Sequence, residues 1–600
     1  MLISLWVLMS FTLLVCLAAR LLARGSFGRG VALVDAIPLA AVLVFCATCL
    51  FAGVFGCLGW RVPGNAGLAA VYSLALLLCF AYIAYRRRDL AMNGEGLGVC
   101  GERLPLKGAL VQTVPYLVIL VVVVGCALVQ FGPSLQINFA STDPGTHFNL
   151  TLQTLETGRF PTSRWFTYYI SARGIELLRP VLSEGMEYKA FIVMEVVYLY
   201  LNGCMFYSLS RRLRLNRGRT TVCLALTLVY LLGYPLNVLT FGFSYLGVGV
   251  TLLLTYVSVL AGRERPSPRQ IPLAALPLVS LVFCYSLFVP VALLGTLLAA
   301  TVRKREVIVR HKRVAVCAAA LVAVLTVVLV GMVVRSGAVS VLSSPGYSYT
   351  NLYGDFVLVA PVAVFGLVLL WGRPSGVGES VVGMTLATVC ATVFALVLYR
   401  EDVLSAYYYF KFYYILWPCV FLCAVPGMEE LWQSQPRFSL GYCALWMLVL
   451  VAAISGLDKR LTNTHPDLNP SSVSSALAGV YSNNMDEIRS PRIPDAEVEL
   501  WLAADDMRQS SEDYIPLLGA NIDVYWYQAV TRQYYKPDTK LFYYWLYTET
   551  DWGAKYIENL SEVEHCVILY AQELPSNLSE YLENGRIVFE NSAGYIVSLT

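Results

Sequence analysis

Apolar runs long enough to cross a bilayer recur through the first 456 residues of this 600-residue chain, and that recurrence fixes lipid as its solvent. A helix needs about 20 apolar residues to span the hydrocarbon core. Stretches of this kind lie at 2–19, 33–57, 66–85, 112–132, 189–209, 220–236, 243–261, 271–284, 287–301, 314–334, 356–372, 380–398, 408–425 and 439–456, about fourteen in all. The first lacks the basic leading region of a signal peptide, its arginines following the apolar run, and is read as a retained span. Composition agrees. Charged residues make up 14% of the chain, against about 25% in soluble domains. The cysteines lie mostly inside the apolar runs, where a thiol is a small apolar filler. A net charge of +3 gives no ground for a nucleic-acid partner, and none is expected.

Charge between the runs sets their direction. The segments RRRDLAMNGEGLGVCGERLPLK, RRLRLNRGR, GRERPSPR and RKREVIVRHKR are all basic and belong in the cytoplasm by the positive-inside rule. The last two flank 271–301, which must therefore go out and return as a short helical hairpin, with Tyr285, Ser286 and Pro290 near its middle. On this layout roughly 24 Lys and Arg fall inside and about 9 outside, leaving the tail aside. The expected fold is an all-α polytopic bundle of about fourteen spans followed by an extracytoplasmic α/β domain. Its parts are N-terminal spans and a cytoplasmic loop (1–111), a core (112–456) with a long external loop (133–188), and the soluble tail (457–600).

In the tail AEVELWLAADDMRQ, IDVYWYQAVTRQ and LSEYLEN read as helices, and IPLLGA, KLFYYWLY, EHCVILYA and GRIVFENSAGYIVSL as strands. Neither GxGxxG nor a P-loop occurs there, which argues against nucleotide binding. Acceptor recognition, or packing over the membrane site, suits it better.

The external loop carries the chemistry. Asp143-Pro144 reads as a helix start, aspartate accepting from the free N–H groups and proline fitting the first turn. Phe148, Leu152 and Leu155 then share one face, and Gly158 stops the helix. Such a helix would lie at the membrane interface and present Asp143 and His147, one turn apart, on one side. A carboxylate at the bilayer edge is costly to hold and usually has a function. Arg159 and Arg164 follow in the same loop. A second informative stretch is LYREDVLSAYYYFKFYYILW, where Arg400, Glu401 and Asp402 end one span and Lys411 lies just inside the next. An aromatic belt with a snorkelling lysine accounts for that stretch equally well.

An external loop opening with Asp143-x-x-x-His147, running into an interface helix, resembles the first catalytic loop of the GT-C glycosyltransferases, polytopic enzymes that use polyprenyl-phosphate-linked sugars outside the membrane. The broken hairpin at 271–301, the aromatic run 406–417 and the terminal α/β region agree, so the resemblance covers most of 112–600. In the family the loop usually follows the first span, whereas three spans precede 112–132 here; either this chain carries an N-terminal extension or the core is shifted. The resemblance implies Asp143 as the base for an acceptor hydroxyl in an inverting transfer, with His147 orienting the acceptor, contacting phosphate or joining Asp143 on a divalent cation such as Mg or Mn. Some family members use a metal and others do not. A leaving phosphate calls for cations, and the external candidates are Arg159, Arg164, Arg400 and Lys411, with Glu401 and Asp402 beside Arg400 as further substrate contacts; the resemblance makes Lys411 a candidate ligand of the lipid phosphate. The donor would be a polyprenyl-phosphate sugar, and the acceptor a glycan, lipid or protein. A polysaccharide polymerase or ligase is the alternative within enzymology; a lipid or glycan transporter would instead show inverted repeats and midplane charges.

Overall fold

The computed structural model describes residues 1–23, 33–92, 106–183, 185–213, 220–261, 270–303, 342, 343, 346, 348, 349, 353–373, 375–455, 471–508, 514–533, 560, 561, 563–574 and 576–599. Among them, ten helical stretches are long and apolar enough to cross a membrane, and the chain is a multi-pass membrane protein. The fourteen expected spans map onto these stretches, onto two shorter apolar helices, Ser244–Leu260 and Ala360–Gly372, and onto 314–334, which lies outside the described residues.

The helices that position the site are α1 (Leu2–Leu21), α2 (Leu33–Cys57), α3 (Asn65–Met92), α4 (Leu106–Phe131), α5 (Asp143–Thr157), α6 (Trp165–Leu178), α7 (Glu187–Arg212), α8 (Thr220–Leu232), α9 (Tyr234–Phe241), α10 (Ser244–Leu260), α11 (Gln270–Tyr285), α12 (Val289–Arg303), α13 (Ala360–Gly372), α14 (Gly376–Arg400), α15 (Ala406–Ser434) and α16 (Pro436–Ser455). Without a hydrophobic drive between helices in lipid, small residues allow close approach. A methyl on Gly366 of α13 would collide with the backbone of Cys423 and Gly427 in α15, so these two helices touch main chain to main chain. At the end of the bundle away from α5, buried Asp35 of α2 pairs with Arg211 of α7 at 2.8 Å and accepts from Tyr116 of α4 at 2.7 Å. One carboxylate thus ties three helices.

The stretch 270–303 breaks at Tyr285 and takes the expected out-and-back course. Cys284, at the end of α11, reaches the Tyr245 carbonyl at the start of α10. From there α12 runs beside α10, Phe288 against Gly249 and Thr296 bonded to Tyr256 at 2.6 Å, down to an ion pair of Arg303 with Glu379 of α14. The two limbs are splayed: α11 packs on α10 and α2, α12 on α14.

The tail begins with α17 (Ser471–Glu487), which kinks at Ala478 and lies against α9 and α16. Asp355 caps the restart, its Oδ1 accepting the Val480 N–H at 3.0 Å while Oδ2 accepts from the Tyr349 hydroxyl. A carboxylate is well placed at a helix N-terminus. Beyond follow α18 (Asp495–Asp506), β1 (Leu517–Leu518), α19 (Asn521–Val530), β2 (His565–Leu569), α20 (Ser576–Glu583), β3 (Arg586–Glu590) and β4 (Gly594–Ser598). The sheet order is β1-β2-β4-β3, parallel between β1 and β2 and antiparallel elsewhere. The expected strand KLFYYWLY lies outside the described residues, and GRIVFENSAGYIVSL forms the two strands β3 and β4 rather than one.

Candidate active site

Tail and loop meet on α5. Trp526 of α19 is fully buried between Phe139, Phe148 and Phe191, with ring centroids 5.6, 5.7 and 6.3 Å away. Arg532, just past α19, reaches Glu156 of α5 at 2.8 Å and Glu187 of α7 at 3.2 Å. A methyl on Gly145 would sit 3.1 Å from the Tyr525 carbonyl, so the first turn of α5 is pressed against tail backbone. The amphipathic helix expected at the interface is therefore covered by protein.

The helix ends at Gly158 in the left-handed region, as the sequence suggests. Its start differs: Thr142 occupies the N-cap position, and no side chain caps the first turn. Asp143 is the first helical residue, so its carboxylate is not engaged in capping. It makes no hydrogen bond or ion pair with another described residue. Burial pushes its carboxyl above the usual range, partly offset by the positive charge of Lys411.

His147, one turn on, is 8% exposed. Its Nδ1 shares a 3.0 Å hydrogen bond with the Tyr168 hydroxyl, and its ring stands edge-on to Tyr245 at 4.9 Å. Burial, then the charges of Lys411 and Arg164, pull the imidazole down to about 3, so it is neutral at physiological pH. Whichever ring nitrogen holds the proton, Nε2 is buried without a partner among the described residues.

Lys411, on α15, is 2% exposed inside a ring of aromatics. Its Nζ lies 3.7 Å from the centroid of Tyr407, 5.1 Å from Tyr408, 5.3 Å from Tyr245 and 5.4 Å from Phe243. Such faces stabilise a cation through the ring quadrupole. Of the N–H donors on the ammonium only one is used among the described residues, to the Tyr245 hydroxyl at 3.2 Å. Asp143, His147, Lys411 and the exposed Arg164, which occupies the N-cap position of α6, form one electrostatic group.

The structure does not bring the other candidates to this group. Arg159 is exposed past the far end of α5, its N–H bonded to Thr157. Arg400, Glu401 and Asp402 are exposed in the turn between α14 and α15, and none of them is among the charges acting on Asp143, His147 or Lys411. Sequence reasoning missed Tyr168 and Tyr245.

The chain is similar to archaeal oligosaccharyltransferases. For the AglB oligosaccharyltransferase of Archaeoglobus fulgidus in complex with an inhibitory peptide and a dolichol-phosphate, identity is 10% and the TM-score 0.43, over 76% of this chain and 69% of that one. For the Archaeoglobus fulgidus oligosaccharyltransferase in complex with zinc and sulfate the values are 11% and 0.45, over 81% and 73%. For its apo form they are 12% and 0.39, over 69% and 64%. No protein-family profile matches the chain, and no curated protein matches it.

A divalent cation does not suit the donors at Asp143. Among the described residues no cluster of three metal-ligating side chains occurs, and a single carboxylate beside an imidazole supplies one negative charge, against the two of a paired-acid site. Lys411 and Arg164 also place positive charge on the same spot. The group offers a carboxylate without a partner among the described residues, a neutral imidazole and two cations that act on one another electrostatically.

Proposed function

We propose that the chain is a membrane glycosyltransferase of the GT-C kind, moving a sugar from a polyprenyl-phosphate-linked donor to an acceptor hydroxyl on a cell-surface glycan, lipid or protein at the outer face of the membrane. The observation that carries this reading is the Asp143 carboxylate, without a partner among the described residues, under the charge of the under-used ammonium of Lys411. A group that accepts a proton stands beside a group that accepts phosphate.

In the transfer, Asp143 takes the proton of the acceptor hydroxyl as its oxygen bonds to the anomeric carbon. The bond from that carbon to the donor phosphate breaks, and the phosphate leaves with the electron pair. Lys411 and Arg164 stabilise the charge that develops there; fixed charges in a water-poor site are worth more than in water. A single displacement inverts the anomeric centre. His147, neutral, orients the acceptor through Nε2. The raised carboxyl of Asp143 makes it a stronger base than a solvated aspartate.

The test is sugar transfer in vitro from a polyprenyl-phosphate sugar, with mass spectrometry of the lipids that co-purify with the protein. A bound polyprenyl phosphate and transfer that Asp143→Asn abolishes are the expected results; undiminished transfer by that variant would remove the base.

A further inference from the structure

Away from Asp143, a cleft of about 440 Å³ lies where five stretches of chain meet: 137–139, 490–497, 522–523, 569–571 and 592–593. Two carboxylates line it, Glu497 of α18 and Asp523 of α19. Glu497 is 8% exposed, and its Oε1 is buried without a hydrogen-bond partner. Neither acid has a lysine or arginine within ion-pair distance among the described residues. Arg492, on the cleft wall, gives its guanidinium instead to the carbonyls of Val129 at 2.6 Å and Gln130 at 2.9 Å.

Two acids held together in a partly buried cleft, with no cation between them, form an arrangement that costs stability. Burial, then the charge of Asp523, pushes Glu497 up to about 8. Burial raises Asp523 to about 6, against the lowering effect of a hydrogen bond at the Ala520 backbone. Without a cation the pair relieves that cost by keeping a proton on Glu497; a divalent cation would release the proton and offset both charges, which a hydroxyl or amide ligand would not. Hard cations take oxygen ligands and keep several waters where the protein supplies one or two carboxylates. The cleft leaves room for that water.

We propose that Glu497 and Asp523 bind a hydrated divalent cation of the calcium and magnesium class. The ion ties α18 and α19 to the segment 137–139, whose Asn138 accepts from Ser490 at 2.8 Å and which leads into Asp143. Its role is to hold the tail on the loop, and it stands or falls independently of the transfer reaction.

The experiment uses the full-length protein in detergent, stripped with EDTA, with CaCl2 and MgCl2 titrated separately by calorimetry and thermal unfolding. Saturable binding of at least one ion is expected, weakened at least tenfold in Glu497→Gln and in Asp523→Asn and unaltered in Asp143→Asn. The sign of the stability change is diagnostic. In EDTA at pH 9, above the raised pKa of Glu497 so that both acids are ionised, Glu497→Gln unfolds at or above the wild-type temperature, because a like charge is gone; with the cation present the order reverses. Absence of binding up to about 10 mM, beyond the millimolar range of weak extracellular sites, overturns the proposal, as does equal binding by both tail variants or loss of binding in Asp143→Asn. Should the variants fail to fold, terbium emission excited through the wild-type tyrosines decides: emission displaced by calcium supports the site, and its absence overturns it.

Discussion

Asp143 and His147 were legible because a helix places residues four apart on one face. Asp143-Pro144 and Gly158 bracket that helix in sequence, although the N-cap itself is Thr142. Tyr245 was not legible. It meets Lys411 across 166 residues, and no local pattern reports a contact of that range. The aromatic run around Lys411 was visible, but a belt at the interface has the same composition; what separates the two is that Lys411 is buried among rings from three helices. Replacing Asp143 by Asn is expected to lower transfer by about 10²–10⁴-fold, the usual worth of a general base, with donor binding kept. With the ionised carboxylate as the base proposed above, transfer is expected to fall as pH drops through its raised pKa, placing the acidic limb of a measured rate profile above the ordinary aspartate range. Lys411→Ala should weaken binding of the donor lipid at least tenfold, about 1.4 kcal/mol; unchanged affinity would return Lys411 to the belt. His147 titrates near 3 when folded and near 6.5 when unfolded. Between those values the unfolded chain holds the extra proton, so stability contributed by the neutral imidazole is complete above about 6.5 and is lost as pH falls toward 3. His147→Gln should flatten that slope in unfolding measured from pH 7 to pH 4.

At the scale of elements, the out-and-back course of 270–303 followed from charge alone, since basic segments flank both ends. The splay of its limbs did not. It depends on the surfaces that α10 and α14 offer, and those come from distant sequence. The helix α19 constrains α5 through Trp526 and the Tyr525 backbone beside Gly145. Trp526→Ala should destabilise the protein by about 3–5 kcal/mol and reduce transfer by loosening the helix that carries Asp143. Unfolding by denaturant, paired with a transfer assay below the unfolding midpoint, separates loss of fold from loss of alignment.

For the whole molecule, the positive-inside pattern put the loop 133–188 and the tail on one side before any contact was known, and the packing of α19 on α5 has the two in contact. The sequence was silent on how closely they would fit, because the fit is a matter of shape: aromatic rings from 139, 148 and 191 enclosing one from 526. The hydrogen bonds that close this joint cross 345 residues from Arg532 to Glu187 and 363 from Arg492 to Val129. Chains are made and inserted from the N-terminus, and contacts of such range form late. The helix that carries Asp143 is thus made well before the helix that covers it, and the joint between them closes only once α19 has been synthesised.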